Sequence, residues 1–163
     1  MAATIIRQLL EDVAAIVMAV DAETYRARPF KQVSGSIGEH VRHCLDHIAA
    51  LVASRSTPTL SYDTRERGTA VESDPAEALR RIVHIESALD QWTAHRLDEP
   101  IYVTAMISDS GETVSGWSTL AREIAFVSSH TIHHRALIGI LLAYHGIAVA
   151  ERFGYAPSTP RAA

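Results

Sequence analysis

The sequence predicts an all-α protein built as a four-helix bundle, and three observations support this prediction. Four segments carry apolar residues three or four positions apart, which is the spacing of amphipathic helices. Residues typical of helix ends flank these segments. Two of the connections are long, and long connections permit a parallel pair of helices in the middle of a bundle, which short turns would forbid.

Length and composition limit the classes of protein. The chain has 163 residues, with 47% apolar and 21% charged residues, as in an ordinary globular protein. We therefore expect one domain over residues 1–163, with an extended tail from about 151. A net charge of -4 favours neither nucleic acid nor an anionic membrane as a partner. Cys44 is the only cysteine, and no stretch resembles a signal peptide or spans a bilayer, so we expect a cytoplasmic protein.

The first two helices are predicted at about residues 4–22 and 36–54. In the second, Ser36 and Glu39 have the spacing of a capping box, in which each side chain satisfies a backbone N–H of the first turn. The apolar positions that define the first helix are Ile5, Leu9, Val13, Ile16 and Val20.

The third predicted helix follows Asp74 as N-cap, with Pro75 in its first turn and Glu77 completing a second capping box. The fourth spans about 118–144, and Gly146 is a typical stop. Between them, IYVTAMI and ETV flank a Ser-Gly turn, which predicts a small hairpin. The apolar set of the third helix is Leu79, Ile82, Val83, Ile85, Leu89 and Trp92; Trp92, Trp117 and Tyr144 are expected to fill the core.

Histidines are clustered in two windows. Of nine in the chain, three occur in the second predicted helix and three in the fourth. At about 100° per residue, His40, His43 and His47 share one wedge of their helix. His130 and His134 lie one turn apart, in the middle of the apolar stripe of the fourth helix. His133 points to the other side.

Two imidazoles on a buried stripe need partners for their ring nitrogens. Histidines at i and i+4 can bind one divalent metal ion, and a third ligand would come from the wedge on the second helix. The alternatives are hydrogen-bonded core histidines, or a helix face turned toward a partner. Glu123 lies on the same stripe, where it could orient a ligand or water, or form a structural ion pair. Cys44 is expected to be a buried structural thiol.

The segments SIGEHVRHCLDH and SSHTIHHRAL, together with FGYAPST, resemble the DinB/YfiT-like superfamily over nearly the whole chain. The resemblance implies a four-helix bundle in up-down-down-up order. It places metal ligands at His43, His130 and His134, with His47 as the backup for the first. It also implies zinc, nickel or a similar divalent ion, and a homodimer.

The activities that this resemblance implies are diverse. Some members are thiol-dependent S-transferases that use a low-molecular-weight thiol, and others are described as metal-dependent hydrolases. Three neutral imidazoles leave an open coordination position, where a metal can activate water or hold a thiolate. The chain has Gly35-Ser36 where many members have Trp, and Ala136-Leu137 follows Arg135 where many read Gly-Gln. From the resemblance and the three histidines, we expect a hydrolase or thiol S-transferase that acts on a small molecule. The alternative is a non-catalytic metal-binding or stress-associated module.

Overall fold

The computed structural model of the protein describes residues 1–54, 59–92 and 96–160. Within these residues the chain is mostly helical, with one small antiparallel sheet. The elements in order are α1 (Ala2–Met18), α2 (Ala22–Arg26), α3 (Ile37–Ala53), a 3-10 turn (Ala70–Glu72), α4 (Pro75–Leu89), β1 (Pro100–Met106), β2 (Thr113–Thr119) and α5 (Leu120–Tyr144).

The predicted helix ends are mostly confirmed. Ser36 accepts a hydrogen bond from the Glu39 amide at 3.2 Å, and its own amide donates to the Glu39 carboxylate at 2.8 Å, which completes the capping box of α3. Asp74 caps α4 by accepting from the amide of Ala76. The second capping box is absent, because Glu77 pairs instead with an arginine one turn on.

The hairpin between α4 and α5 is confirmed, although its second strand is longer than predicted. β1 pairs with β2 from Pro100 opposite Thr119 to Met106 opposite Thr113. Thr119 ends β2 and caps α5 by accepting from the Arg122 amide. The short helix α2, which the sequence did not predict, begins at the N-cap Asp21.

Helix α3 lies in the middle of the bundle and packs against α1, α4 and α5. Its apolar residues are almost wholly buried, together with Cys44, which is 0% exposed. Several residues predicted in the core lie instead at the surface, because apolar spacing alone does not show which part of a helix faces its neighbours: Ile5, Val83 and Tyr144. Trp117, also predicted in the core, lies in strand β2 and is exposed.

Long-range contacts relate the helix ends. Arg7, near the start of α1, pairs with Asp90 just after α4, at 2.6 Å. The Trp92 indole, also after α4, donates to the Val52 carbonyl near the end of α3, at 3.4 Å. The C-terminal ends of α3 and α4 therefore lie side by side.

The described part of the connection between α3 and α4, from residue 59 onward, contacts the bundle at several points. Leu60 forms a parallel bridge with Val103 of β1. Further along, the 3-10 turn approaches α3 so closely that a Cβ on Gly38 would collide with the Glu72 carbonyl and lie 2.6 Å from the Tyr25 ring. The Tyr25 hydroxyl donates to the Val71 carbonyl at 2.8 Å, which fastens the turn to α2.

The tail was predicted to be extended, whereas its described part, residues 151–160, is folded into turns. Gly154 has φ +76°, and a Cβ there would lie 2.6 Å from the Ala136 Cα of α5. The Arg135 guanidinium lies over the Phe153 ring and pairs with Asp12 of α1. The tail is thereby packed against α5. Among the described helices, none combines the length and apolarity needed to cross a membrane.

Candidate functional site

Five histidines from two helices form one cluster between α3 and α5. His43 and His130 face each other, with their Nε2 atoms 2.7 Å apart. One turn away, the Nδ1 atoms of His40 and His134 are 2.9 Å apart. His47 stacks on His130, with ring centroids 4.2 Å apart. The packing of α3 on α5 therefore joins the two histidine windows of the sequence.

Three of these rings can hold a divalent metal ion. One ring nitrogen each from His43, His47 and His130 lies within 4.8 Å of the other two. The Nδ1 of His47 lies 2.9 Å from the His43 carbonyl oxygen, which can only accept. His47 Nδ1 is therefore the donor, and the lone pair of a neutral ring resides on Nε2, as in ligands whose second nitrogen is fixed by a hydrogen bond.

His134, the third ligand expected from the resemblance, is a neighbour of the same cluster. Its ring centroid lies 4.5 Å from that of His43 and 4.7 Å from that of His130. Its Nδ1 is directed at His40, whose Nε2 is buried without a hydrogen-bond partner. His133 is exposed and touches only the edge of the cluster through the His134 ring, with centroids 5.3 Å apart.

The cluster favours neutral imidazoles. Burial, together with the neighbouring His47 and His134, lowers the pKa of His43 to about 2. Burial likewise lowers the pKa of His130 to about 4 and that of His134 to about 3. The pKa values of His40 and His47 are also lowered, chiefly by burial. Neutral nitrogens with available lone pairs are the form that binds a metal.

Two of the rings lie at the edge of the buried face of α5 rather than in its middle. His130 and His134 are half-buried, whereas Thr131 is 0% exposed. The apolar pattern predicts both rings in the middle of the stripe, because the buried Thr131 is not an apolar residue. The edge position exposes the cluster to a cavity of about 380 Å³, which His40, His43 and His134 help to line.

A tyrosine and a glutamate support the cluster from one side. The Tyr62 ring stacks on His47, with centroids 5.2 Å apart and planes at 5°. Its hydroxyl donates to Glu123 at 2.9 Å, and the Ser118 hydroxyl donates to the other carboxylate oxygen at 2.6 Å. Glu123 is thus a buried acceptor that holds Tyr62, and among the described residues no arginine or histidine forms an ion pair with it. The role of Tyr62 was not predicted, since it lies in a connection without periodicity.

The donor set fits a divalent metal. A tetrahedral ion with bonds of 2.0–2.1 Å needs two ligand nitrogens about 3.3 Å apart. His43 and His130 are closer than this, at 2.7 Å between Nε2 atoms, so a small opening of the two rings accommodates an ion. Two adjacent lone pairs without an ion must instead share one proton. Cys44 is not in this group of ligand atoms among the described residues, and burial raises its pKa to about 12.

Comparison with known proteins agrees with this description. The fold and the cluster define a mostly helical bundle with a histidine site compatible with a divalent metal. The chain belongs to the DinB superfamily, whose family model matches residues 5–138. This confirms the resemblance seen in the sequence.

A curated protein from the fungus Rhizopus delemar, named FK506-binding protein 5, is 35% identical to the chain over 109 residues. The aligned region covers 66% of this chain and 28% of that protein, so the chain spans little more than a quarter of its relative. No solved structure matches the chain significantly.

Proposed function

We propose that the protein is a divalent-metal-dependent enzyme that acts on a small molecule, as a hydrolase or a thiol S-transferase. The observation that carries the proposal is the convergence of imidazole nitrogens from α3 and α5 within 4.8 Å, beside a cavity large enough for a small molecule. Membership of the DinB superfamily supports it. A zinc or nickel ion bound there would supply Lewis-acid chemistry and an open position for water or a low-molecular-weight thiol.

His43, His130 and His134 are the proposed ligands. His43 and His130 face each other across the two helices, and His134 adjoins both. His43 and His134 also line the cavity, whereas His47 is only 4% exposed. An ion held by the first set is therefore accessible to a substrate. His40 would orient His134 through the contact between their Nδ1 atoms.

His47 is the alternative third ligand, because its nitrogen already lies in the close group with His43 and His130. The two sets are separated by measuring metal content. In His134→Ala we expect metal to be lost, and in His47→Ala we expect it to be retained. The reverse result would assign the third position to His47.

The main experiment is elemental analysis of protein purified without an affinity tag. About one ion per chain is expected, with loss in His43→Ala and His130→Ala and retention in His84→Ala, a matched control on the exposed face of α4. Turnover of ester substrates and of thiol conjugates by the metal-loaded protein then separates hydrolysis from S-transfer. Metal binding without either activity favours the non-catalytic metal-binding or stress-associated module.

We also propose the up-down-down-up order for α1, α3, α4 and α5. The pairings of Arg7 with Asp90 and of Val52 with Trp92 support antiparallel α1 and α4 beside parallel α3 and α4. We further propose that the protein is a cytoplasmic homodimer without nucleic-acid or membrane partners. The net charge of -4 supports the last point, and light scattering of the purified protein tests the dimer.

A further inference from the structure

The cavity beside the histidines is also lined by positively charged side chains. Besides His40, His43 and His134, its wall includes Arg65 and Arg67, which belong to the connection between α3 and α4. The volume of about 380 Å³ is in the range of small-molecule sites.

The other charges at this cavity are already neutralised. Glu39 pairs with Arg28 at 2.7 Å and also accepts from the Ser36 amide. Arg42 is buried and pairs with Asp46 and with Glu72, each at 2.9 Å. Neither Arg28 nor Arg42 therefore has a positive charge free for a ligand.

Arg65 and Arg67 differ from Arg42 in this respect. Within the described residues, no carboxylate lies in ion-pair range of either guanidinium, although Asp46 and Asp63 act on Arg65 from a distance. Arg65 is half-buried, and burial together with the nearby Arg42 and Arg67 lowers its pKa. Neighbouring positive charges repel one another, and a bound anion would relieve this repulsion.

The segment that carries these arginines is fixed on both sides. Before them, Leu60 bridges to β1 and the Asp63 carboxylate accepts from the Met106 amide at 2.7 Å. Arg65 itself donates to the Tyr62 carbonyl at 3.4 Å. After them, the Glu72 carboxylate accepts from the Gly68 amide at 3.0 Å. The backbone that carries Arg65 and Arg67 is therefore fixed on both sides, as a preorganised binding site requires.

We propose that this cavity binds the carboxylate or phosphate group of an anionic small-molecule substrate through Arg65 and Arg67. Guanidinium groups bind both oxyanions through paired hydrogen bonds. The rest of the substrate would then lie against His43 and His134. The substrate class rests on the proposed function, but the anion site itself does not require the metal.

The test measures binding of succinate and of inorganic phosphate by isothermal titration calorimetry, with metal-free and zinc-loaded protein. The variants are Arg65→Gln and Arg67→Gln, with Arg26→Gln, at an exposed residue of α2, as a matched control. Each cavity variant should weaken binding roughly tenfold or more, as expected for hydrogen bonds to a charged group, while the control should not change it. Arg65→Lys should retain part of the affinity. Tighter binding of succinate would indicate a carboxylate substrate, and tighter binding of phosphate would indicate a phosphorylated one.

Two results would overturn the proposal. One is unchanged affinity in both cavity variants, whose folding is checked by circular dichroism. The other is affinity that disappears on chelation and in His130→Ala, which would mean that the metal alone holds the anion. Metal content is measured on the same samples. Anion binding lost only in the arginine variants, in a protein that takes up no metal, would support the anion site and contradict the proposed metal enzyme.

Discussion

Acidification should destabilise the metal-free protein at a pH above the range in which its carboxylates titrate. The folded state lowers the pKa of His43, His134 and His130 to about 2, 3 and 4, from 6.5 in an unfolded chain. Below pH 6.5 the unfolded chain therefore binds protons that the folded protein does not. Stability is complete above that pH and falls as the pH decreases toward the folded pKa values.

The magnitude follows from these values. At pH 5, a histidine that stays neutral in the folded state and has an unfolded pKa of 6.5 lowers the free energy of unfolding by about 2 kcal/mol. The three rings are half-buried and solvent screens part of this, so the combined loss is on the order of 4 kcal/mol. That is a large share of the roughly 5–15 kcal/mol that stabilises a typical domain.

Urea unfolding followed by circular dichroism measures this loss, at pH 7.5, 6 and 5 with a chelator present. His43→Gln should reduce the decrease between pH 7.5 and 5 by roughly 1 kcal/mol, about a third of the combined loss. His84→Gln, on the exposed face of α4, should show the wild-type decrease. Glu39, whose lowered pKa starts from 4.5, contributes mainly below this range. A free energy of unfolding that is constant from pH 7.5 to 5, or NMR titration of the three rings near pH 6.5, would refute the reasoning.

Three other predictions concern stability and reactivity. Gly38→Ala should destabilise the protein by about 1–3 kcal/mol in urea, because its methyl group would collide with the Glu72 carbonyl, whereas Gly116→Ala, which meets open space, should have little effect. Glu123→Ala leaves two hydroxyl donors without their acceptor and should cost about 1–3 kcal/mol by the same measurement; an unchanged midpoint would show that the bonds are not formed. Cys44 should react with a thiol reagent only at the rate of unfolding, because it is fully buried and its pKa is raised to about 12; fast labelling of native protein would contradict this.

Much of the fold could be predicted because the signals for it are local. The capping box of Ser36 and Glu39 and the cap at Asp74 lie within a few residues of the helices they start. The spacing of His130 and His134 places both rings on one side of α5. Periodicity also predicts that each histidine window lies on one face of its helix. If both faces turn inward in the bundle, the two groups of histidines come together between α3 and α5.

Other features depend on contacts between distant segments and could not be predicted. The connection that carries Tyr62 has no periodicity, yet the Tyr62 hydroxyl donates to Glu123, which lies 61 residues later in the sequence. The contact of His40 with His134 depends on the register of α3 on α5. Val83 and Trp117 are 61% and 75% exposed, because the neighbours available to each surface decide burial.

We propose that imidazoles from α3 and α5 hold one divalent ion. Anomalous diffraction at the zinc edge, from crystals of protein purified without a tag and supplied with zinc, tests it most directly. We expect one peak per chain, about 2.0–2.1 Å from the Nε2 atoms of His43 and His130. Density without a peak there, with the two rings still in mutual contact, would contradict the account.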